Sequence, residues 1–318
     1  MISVAVCLVC VCTSRAQFSI PTAESATLEQ APIIDTAIAN PQINNPYFSQ
    51  ARWLAEKKAL CKERNTIEFN ANLAATQTQF KDWQAGGDNT FSARSSLYFR
   101  HQYKREKFSL DYRLDARYGA NYIEKKLFKN EDEWKTNFQT AWTMHRNWSY
   151  AMTVNMRSQF SKGEKSRTDT TKISNFMAPG FLDVAIGFNW KRDSSPWNIT
   201  ISPIAGSVIF VLDEQLQARG INGVPKGNST KGQLGPSLRV YYDKEFAKKV
   251  FRYRSDLYSF TNIRNAPTMR WENTLEIKAT KLLSTKLYWL MYYDKQSIDK
   301  MQYNYSLSIG ISYWIKNK

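Results

Sequence analysis

A chain of 318 residues with 42% apolar residues, a mean hydropathy of −0.52 and no apolar run near the roughly 18 residues of a membrane helix is not a helical membrane protein. Its 17 Tyr, 17 Phe and 10 Trp are more than a polar soluble chain leaves at its surface, and its formal charge of +16 lacks the basic block or motif of a nucleic-acid binder. Three of its four cysteines, Cys7, Cys10 and Cys12, sit in the first segment, which excludes an intramolecular disulfide or a cysteine-based metal site from the rest.

That first segment, MISVAVCLVCVCTSRAQ, has an apolar stretch from Val4 to Cys12 and small residues, Ser14 and Ala16, before a cut at Gln17. It reads as a secretory signal peptide over residues 1–16, without a positive n-region and without the small residue a lipobox needs. The remaining cysteine, Cys61, reads as a buried apolar side chain. Residues 17–63 form a flexible periplasmic lead, with Pro21, Pro32, Pro41 and Pro46 followed by a short helix over 48–63. Phe48, Trp53 or Leu54, and Leu60 share one face of that helix, which is expected to pack on the mouth of the following domain.

From residue 64 to 318 the period is two, and twelve strands are predicted. The first places Phe69, Ala71, Leu73 and Ala75 on one face; the second sets Phe91, Leu97 and Phe99 against Ser92, Arg94, Ser96 and Arg100. In the third, Phe108, Leu110, Tyr112, Leu114, Ala116 and Tyr118 oppose Asp111, Arg113, Asp115 and Arg117. Aromatic and aliphatic alternation continues through Trp134–Met144, Trp148–Met156, Leu182–Trp190, Trp197–Ile201 and Leu238–Tyr242. The ninth strand, Phe251–Ile263, has no clean parity, and the eleventh, Thr285–Tyr293, is apolar on both. Between them, Met269, Trp271, Leu275 and Ile277 alternate with Arg270, Glu272, Glu276 and Lys278. The last, Gln302–Lys318, puts Tyr303, Tyr305, Leu307, Ile309, Ile311, Tyr313 and Ile315 on one face, the aromatic–aliphatic–aromatic order of a strand crossing a bilayer between two interfacial girdles.

Connections after even-numbered strands are short (KREK, HRN, LLST), and most of those after odd-numbered strands are long, including SKGEKSRTDTTKISNFMAP and LDEQLQARGINGVPKGNST. Short periplasmic turns, long outer loops and an even count describe a single transmembrane antiparallel β-barrel, all-β, in the outer membrane. The charged residues of such strands face the lumen, because an Arg at the lipid midplane costs about 2–4 kcal/mol. Parity thus assigns Arg94, Arg100, Asp111, Arg113, Asp115, Arg117, Arg157, Asp183, Arg239, Glu272 and Glu276 to the interior wall. Closing the second hairpin symmetrically on KREK sets Arg100 opposite Asp111 and Asp115 diagonal to Arg94.

Several segments resemble the Bacteroidetes outer-membrane barrel family of unknown function DUF3078. They are Trp83, Gly86 and Gly87 in WQAGGDN, KNEDEW at 129–134, RSQF at 157–160, ISNF with APGF at 173–181, and ISP at 201–203 with Asp213. The resemblance implies the barrel fold and the outer membrane, and no activity. Gly86 and Gly87 serve backbone geometry, and Ala178, Pro179 and Gly180 shape the return of a long loop into its strand.

Neither His101, on the lipid parity, nor His145, in a three-residue turn, has a Ser or Asp partner at triad spacing, so no enzyme activity, catalytic residue, metal or cofactor is expected. The functional expectation is a passive channel or transporter for small polar or anionic solutes. The alternative is a closed structural or assembly barrel that binds a partner through its outer loops or N-terminal helix; a membrane-embedded hydrolase ranks third. Expected partners are outer-membrane lipids including lipopolysaccharide, the barrel-assembly machinery through the C-terminal strand, and small solutes, but not nucleic acid.

Overall fold

The computed structural model describes residues 46–78, 90–123, 126–165, 169–262, 267–280, 282–295 and 298–317. The chain divides after Gln50, and the unit from Ala51 onward is the barrel. Residues 1–45, which include the expected signal peptide and most of the expected lead, and the WQAGGDN segment lie outside the described residues.

A helix, α1 (Pro46–Arg64), runs directly into the first strand. The barrel strands are β1 (Asn65–Thr78), β2 (Thr90–Arg105), β3 (Phe108–Ile123), β4 (Lys126–His145), β5 (Trp148–Ser158), β8 (Gly180–Lys191), β9 (Trp197–Phe210), β10 (Thr230–Phe246), β11 (Phe251–Phe260), β12 (Thr268–Lys278), β13 (Leu283–Asp294) and β14 (Ile298–Lys316). Between β5 and β8 lies a small hairpin, β6 (Gly163–Glu164) and β7 (Lys172–Ser174); between β9 and β10 lies a short helix, α2 (Glu214–Arg219). The twelve barrel strands are all antiparallel, and β14 closes on β1 with Phe69 opposite Ile315 and Leu73 opposite Ile311. The seam pairs Glu68–Leu73 with Ile311–Lys316, closing the sheet as backbone in hydrocarbon demands.

The two faces of the strands invert the usual rule of burial. Outward lie Leu73, Ile186, Ile201, Ile204, Leu234, Leu287, Leu307, Ile309 and Ile311, all exposed; inward lie Glu68, Asn70, Arg113, Asn137, Arg252, Arg270 and Glu276, all buried. Only a lipid solvent stabilises a continuous apolar exterior of this extent. At the short-turn end, aromatic pairs form a belt: Tyr103–Phe108, Phe108–Trp142, Tyr150–Phe188, Trp197–Tyr242 and Tyr242–Tyr253, with ring centroids 4.7–6.4 Å apart. Aromatic rings at one level are the interfacial girdle of a membrane barrel.

One bulge reorders the wall. Ile201 faces Phe188 and Ile204 faces Ile186, so β9 carries an extra residue at Ser202–Pro203, and β10 registers the same shift between Gly235 and Ser237. Proline has no N–H for the ladder and is tolerated at such a bulge. The shift brings Ile204 outward after Ile201 while Ser202 and Ala205 stay buried. Gly187 sits against the bulge, where a Cβ would meet the backbone of Ile201 and Ser202.

Several expectations are corrected. The β2–β3 turn is Glu106–Lys107, with Glu106 at φ 48°, so Arg105 faces Phe108 and Arg100 faces Arg113 rather than Asp111. The symmetric reading failed because this two-residue turn has a positive-φ glutamate in place of the glycine or asparagine that usually marks one. Arg94 accordingly lies opposite Gly119, not diagonal to Asp115. Much of the expected long third loop is paired strand, since Ile123 faces Lys126 across a tall β3–β4 hairpin. His145 ends β4, paired with Trp148, instead of sitting in the turn. Cys61 is exposed on α1, not buried. Trp53, Leu54 and Leu60 are exposed as well, so these side chains do not pack α1 onto the barrel mouth.

Candidate functional site

The barrel interior is built from the inward half of the alternation, and it is crowded with charge. Near the short-turn end Arg100 of β2 donates to both oxygens of Asp111 at 3.0 and 2.6 Å, reaching diagonally past Arg113, and also to Asp243 of β10 at 3.2 Å. Arg252 of β11 donates to Asp243 at 2.9 and 2.7 Å and pairs with Glu68 of β1. The Tyr241 hydroxyl donates to Asp243 at 3.2 Å, and the Arg113 guanidinium lies 4.0 Å from that tyrosine's ring centre.

A second level lies further towards the long loops. Lys135 of β4 pairs with Glu272 of β12, and Arg270 of β12 donates to Glu133 of β4 at 2.6 Å and to Glu272 at 2.7 Å. Arg117 pairs with Glu133 and stacks 3.8 Å over the Tyr288 ring, whose hydroxyl donates to Glu272 at 3.2 Å.

In the order of strands around the barrel, β2 is six places from β10, and β4 is six places from β12. With twelve strands in the ring, these are diametrically opposite walls. Arg100–Asp243, Lys135–Glu272 and Arg270–Glu133 therefore cross the lumen, and they do so at two levels. The space that remains is small: about 140 Å³ in the middle, about 410 and 230 Å³ at the short-turn end, and about 50 Å³ towards the long loops.

The other residues assigned by parity take places in the same interior. Arg94 pairs with Glu131 at 2.8 Å, and Arg239 donates to Asp256 at 2.9 Å. Asp115 and Asp183 line the central cavity. The guanidinium of Arg157 lies 3.7 Å from the Phe181 ring centre, and Glu276 accepts from Asn70 at 3.3 Å. Sequence reasoning missed Glu68, Glu133, Lys135, Asp243, Arg252, Arg254 and Asp256, all of which face inward. For β11 the signal was present: Arg252, Arg254 and Asp256 share a parity, and a charge in a membrane strand turns inward even where its neighbours look mixed.

The wall formed by β5, β8 and β9 has a different character. It presents Ala151, Thr153, Ala185, Ser202 and Ala205, all buried, and the small Ala185 and Ala205 make room for Phe260 and Tyr258 of β11.

At the long-loop end the motif segments meet. Asp132 of KNEDEW accepts from the backbone N–H groups of Phe160 and Ser161 at 2.7 and 2.9 Å and from Lys129 at 2.9 Å, fixing the exit of β5. Ser158 of RSQF donates to the carbonyl of Pro179 at 3.1 Å, and Ala178 is fully buried against Ile209, Val211, Leu216 and Val224. Gly180 begins β8. Asp213 accepts from Lys172 at 2.5 Å and from Asn175 at 2.8 Å, and it caps α2 through the Leu216 N–H. These bonds hold the Asp213 carboxyl below its ordinary pKa, the Lys172 hydrogen bond first among them. Trp83, Gly86 and Gly87 lie outside the described residues.

Of the histidines, His101 contacts Asn65 at 2.7 Å. Among the described residues no group of three or more His, Cys, Asp or Glu is arranged to hold a metal ion.

Residues 75–163 match the family described as protein of unknown function (DUF3078). No curated protein matches the sequence. Among solved structures, similarity is found to an outer membrane channel from Pseudomonas putida F1, at 11% identity and TM-score 0.38, covering 79% of this chain and 96% of that one. The translocator domain of the autotransporter NalP from Neisseria meningitidis aligns at 12% identity and TM-score 0.34, over 85% and 97%. Outer membrane phospholipase A from Escherichia coli aligns at 9% identity and TM-score 0.34, over 78% and 89%. At these values no statement about the role of the present chain follows.

Proposed function

We propose that this chain is an outer-membrane β-barrel whose lumen is shut by its own side chains, and that it works as a closed structural or assembly barrel presenting an ordered loop surface to a partner. The lumen-crossing pairs carry the reading: a wide passive pore keeps its charges on the wall, whereas here Arg100–Asp243 and Arg270–Glu133 join opposite walls at 3.2 and 2.6 Å. The outer-membrane location is supported by the closed antiparallel sheet, the apolar exterior and the aromatic belt. In this reading lipid, lipopolysaccharide included, covers the exterior, and β14 is the strand that the barrel-assembly machinery handles.

The loop end supplies the presenting surface. Lys172, Asn175 and Asp213 tie the β5–β8 and β9–β10 connections into one unit. Liposome swelling with small sugars tests the closed lumen: wild type gives none, and swelling at a porin-like rate would contradict it. Membrane fractionation tests the location.

A second reading, a gated conduit for small polar or anionic solutes, is favoured by one observation: eight basic and only four acidic side chains line the central cavity. Under that reading an applied membrane potential opens anion-selective conductance in the wild type, which a closed barrel does not show.

A further inference from the structure

The central cavity is small and basic. At about 140 Å³ it exceeds the roughly 10–15 Å³ that one water requires on this measure, so it has room for several waters or for one tetrahedral oxyanion. Two of its four carboxylates are already committed, Asp256 to Arg239 and Glu272 to Lys135 and Arg270. The Arg254 guanidinium stacks 4.1 Å over the Tyr98 ring without an ion-pair partner among the described residues. Lys286, on the same cavity wall, donates to the neutral Asn70 and Ser96, at 2.9 and 3.1 Å, with Glu276 opposite it in the ladder.

Two buried groups then lack acceptors. Arg113 is 4% exposed; its Nη2 donates to Asn137 at 2.6 Å, but its Nε and Nη1 have no hydrogen-bond acceptor, the Asp111 oxygen standing 3.6 Å from Nε. Tyr98 is 3% exposed, and its hydroxyl also has no partner. A buried donor left unpaired costs its full desolvation, and an unneutralised buried cation costs more. Water could supply acceptors but no charge. An oxyanion supplies both, and the planar fork of a guanidinium matches its oxygens.

We infer that the central cavity binds one small oxyanion of the phosphate or sulfate type, held by Arg113, Arg254 and Tyr98, with Lys286 adding charge. The site stands whether or not the lumen conducts.

The test is isothermal titration of inorganic phosphate into the folded full chain in lipid-free micelles, after a long equilibration because ion pairs flank the cavity. Saturable one-site binding that sulfate competes for is expected. Arg254→Gln should weaken it at least about tenfold, the loss of one charge-assisted contact. Tyr98→Phe, which removes only a hydroxyl, should weaken it severalfold, and Lys104→Gln on the rim should leave it unchanged. Folded wild type that shows no saturable binding overturns the inference. So does binding that Arg254→Gln and Tyr98→Phe leave intact, or binding that Lys104→Gln removes, which would mark a headgroup-type site at the rim.

Discussion

The inner and outer faces of the same strands obey opposite rules. On β12, Trp271, Leu275 and Ile277 turn outward, where any apolar side chain of suitable size serves, because lipid asks only for the absence of charge. One residue along, Arg270, Glu272 and Glu276 turn inward, where each charge depends on a particular partner, and that partner often belongs to the opposite wall. The outer face is therefore additive and tolerant. The inner face is a network in which removing one member strands the others.

The sharpest way to break this contrast is Arg252→Ala. It leaves Glu68 and Asp243 buried without their shared cation, at an expected cost of about 3–5 kcal/mol in urea unfolding from micelles. A loss near zero would mean that water reaches these carboxylates and the interior is no network.

On the outer face, Ile309→Arg should cost about 2–4 kcal/mol by the same assay, and Ile309→Val almost nothing. Equal effects of the two would place residue 309 away from the hydrocarbon.

Between the faces lies the β9 bulge. Gly187→Ala should cost about 1–3 kcal/mol, because its Cβ meets backbone and not the flexible end of a side chain.

The smallest effect belongs to the loops. Asp213→Asn weakens the α2 cap and the Lys172 contact by about 1 kcal/mol. Since the folded carboxyl has a lowered pKa, its stabilisation is complete above the ordinary carboxylate value and is lost as pH falls through the lower folded one. Pepsin cleavage within 169–174 should therefore rise more steeply on lowering the pH in wild type than in Asp213→Asn.

The outer face was largely legible in the sequence because its rule is local. Residues 303–315 announce their parity by composition alone, and the closed twelve-strand sheet follows from repeating that pattern. In β11 the outward set mixes Phe251 and Tyr253 with Ser255 and Ser259, while Tyr258 and Phe260 turn inward against Ala185 and Ala205. Side-chain size on a neighbouring wall decides that arrangement, and one strand read alone does not contain it. The same holds for the interior charges. Parity sends Arg100 and Glu272 inward, but which wall each one reaches depends on ring closure and on a hairpin register that Glu106 does not advertise. Glu133 and Lys135 share the inward parity of β4, but the outward Trp134 and Trp142 dominate the local pattern.

The claim at the centre of this account is that opposite walls are tied together across the lumen. Single-channel recording of the refolded barrel in a planar bilayer, with folding verified by heat-modifiable gel mobility, tests it directly. The account predicts a silent wild type and discrete conductance steps once both levels are untied, in the Arg100→Ala, Lys135→Ala, Arg270→Ala triple variant. Steady conductance of the wild type itself, unchanged by that variant, would contradict it.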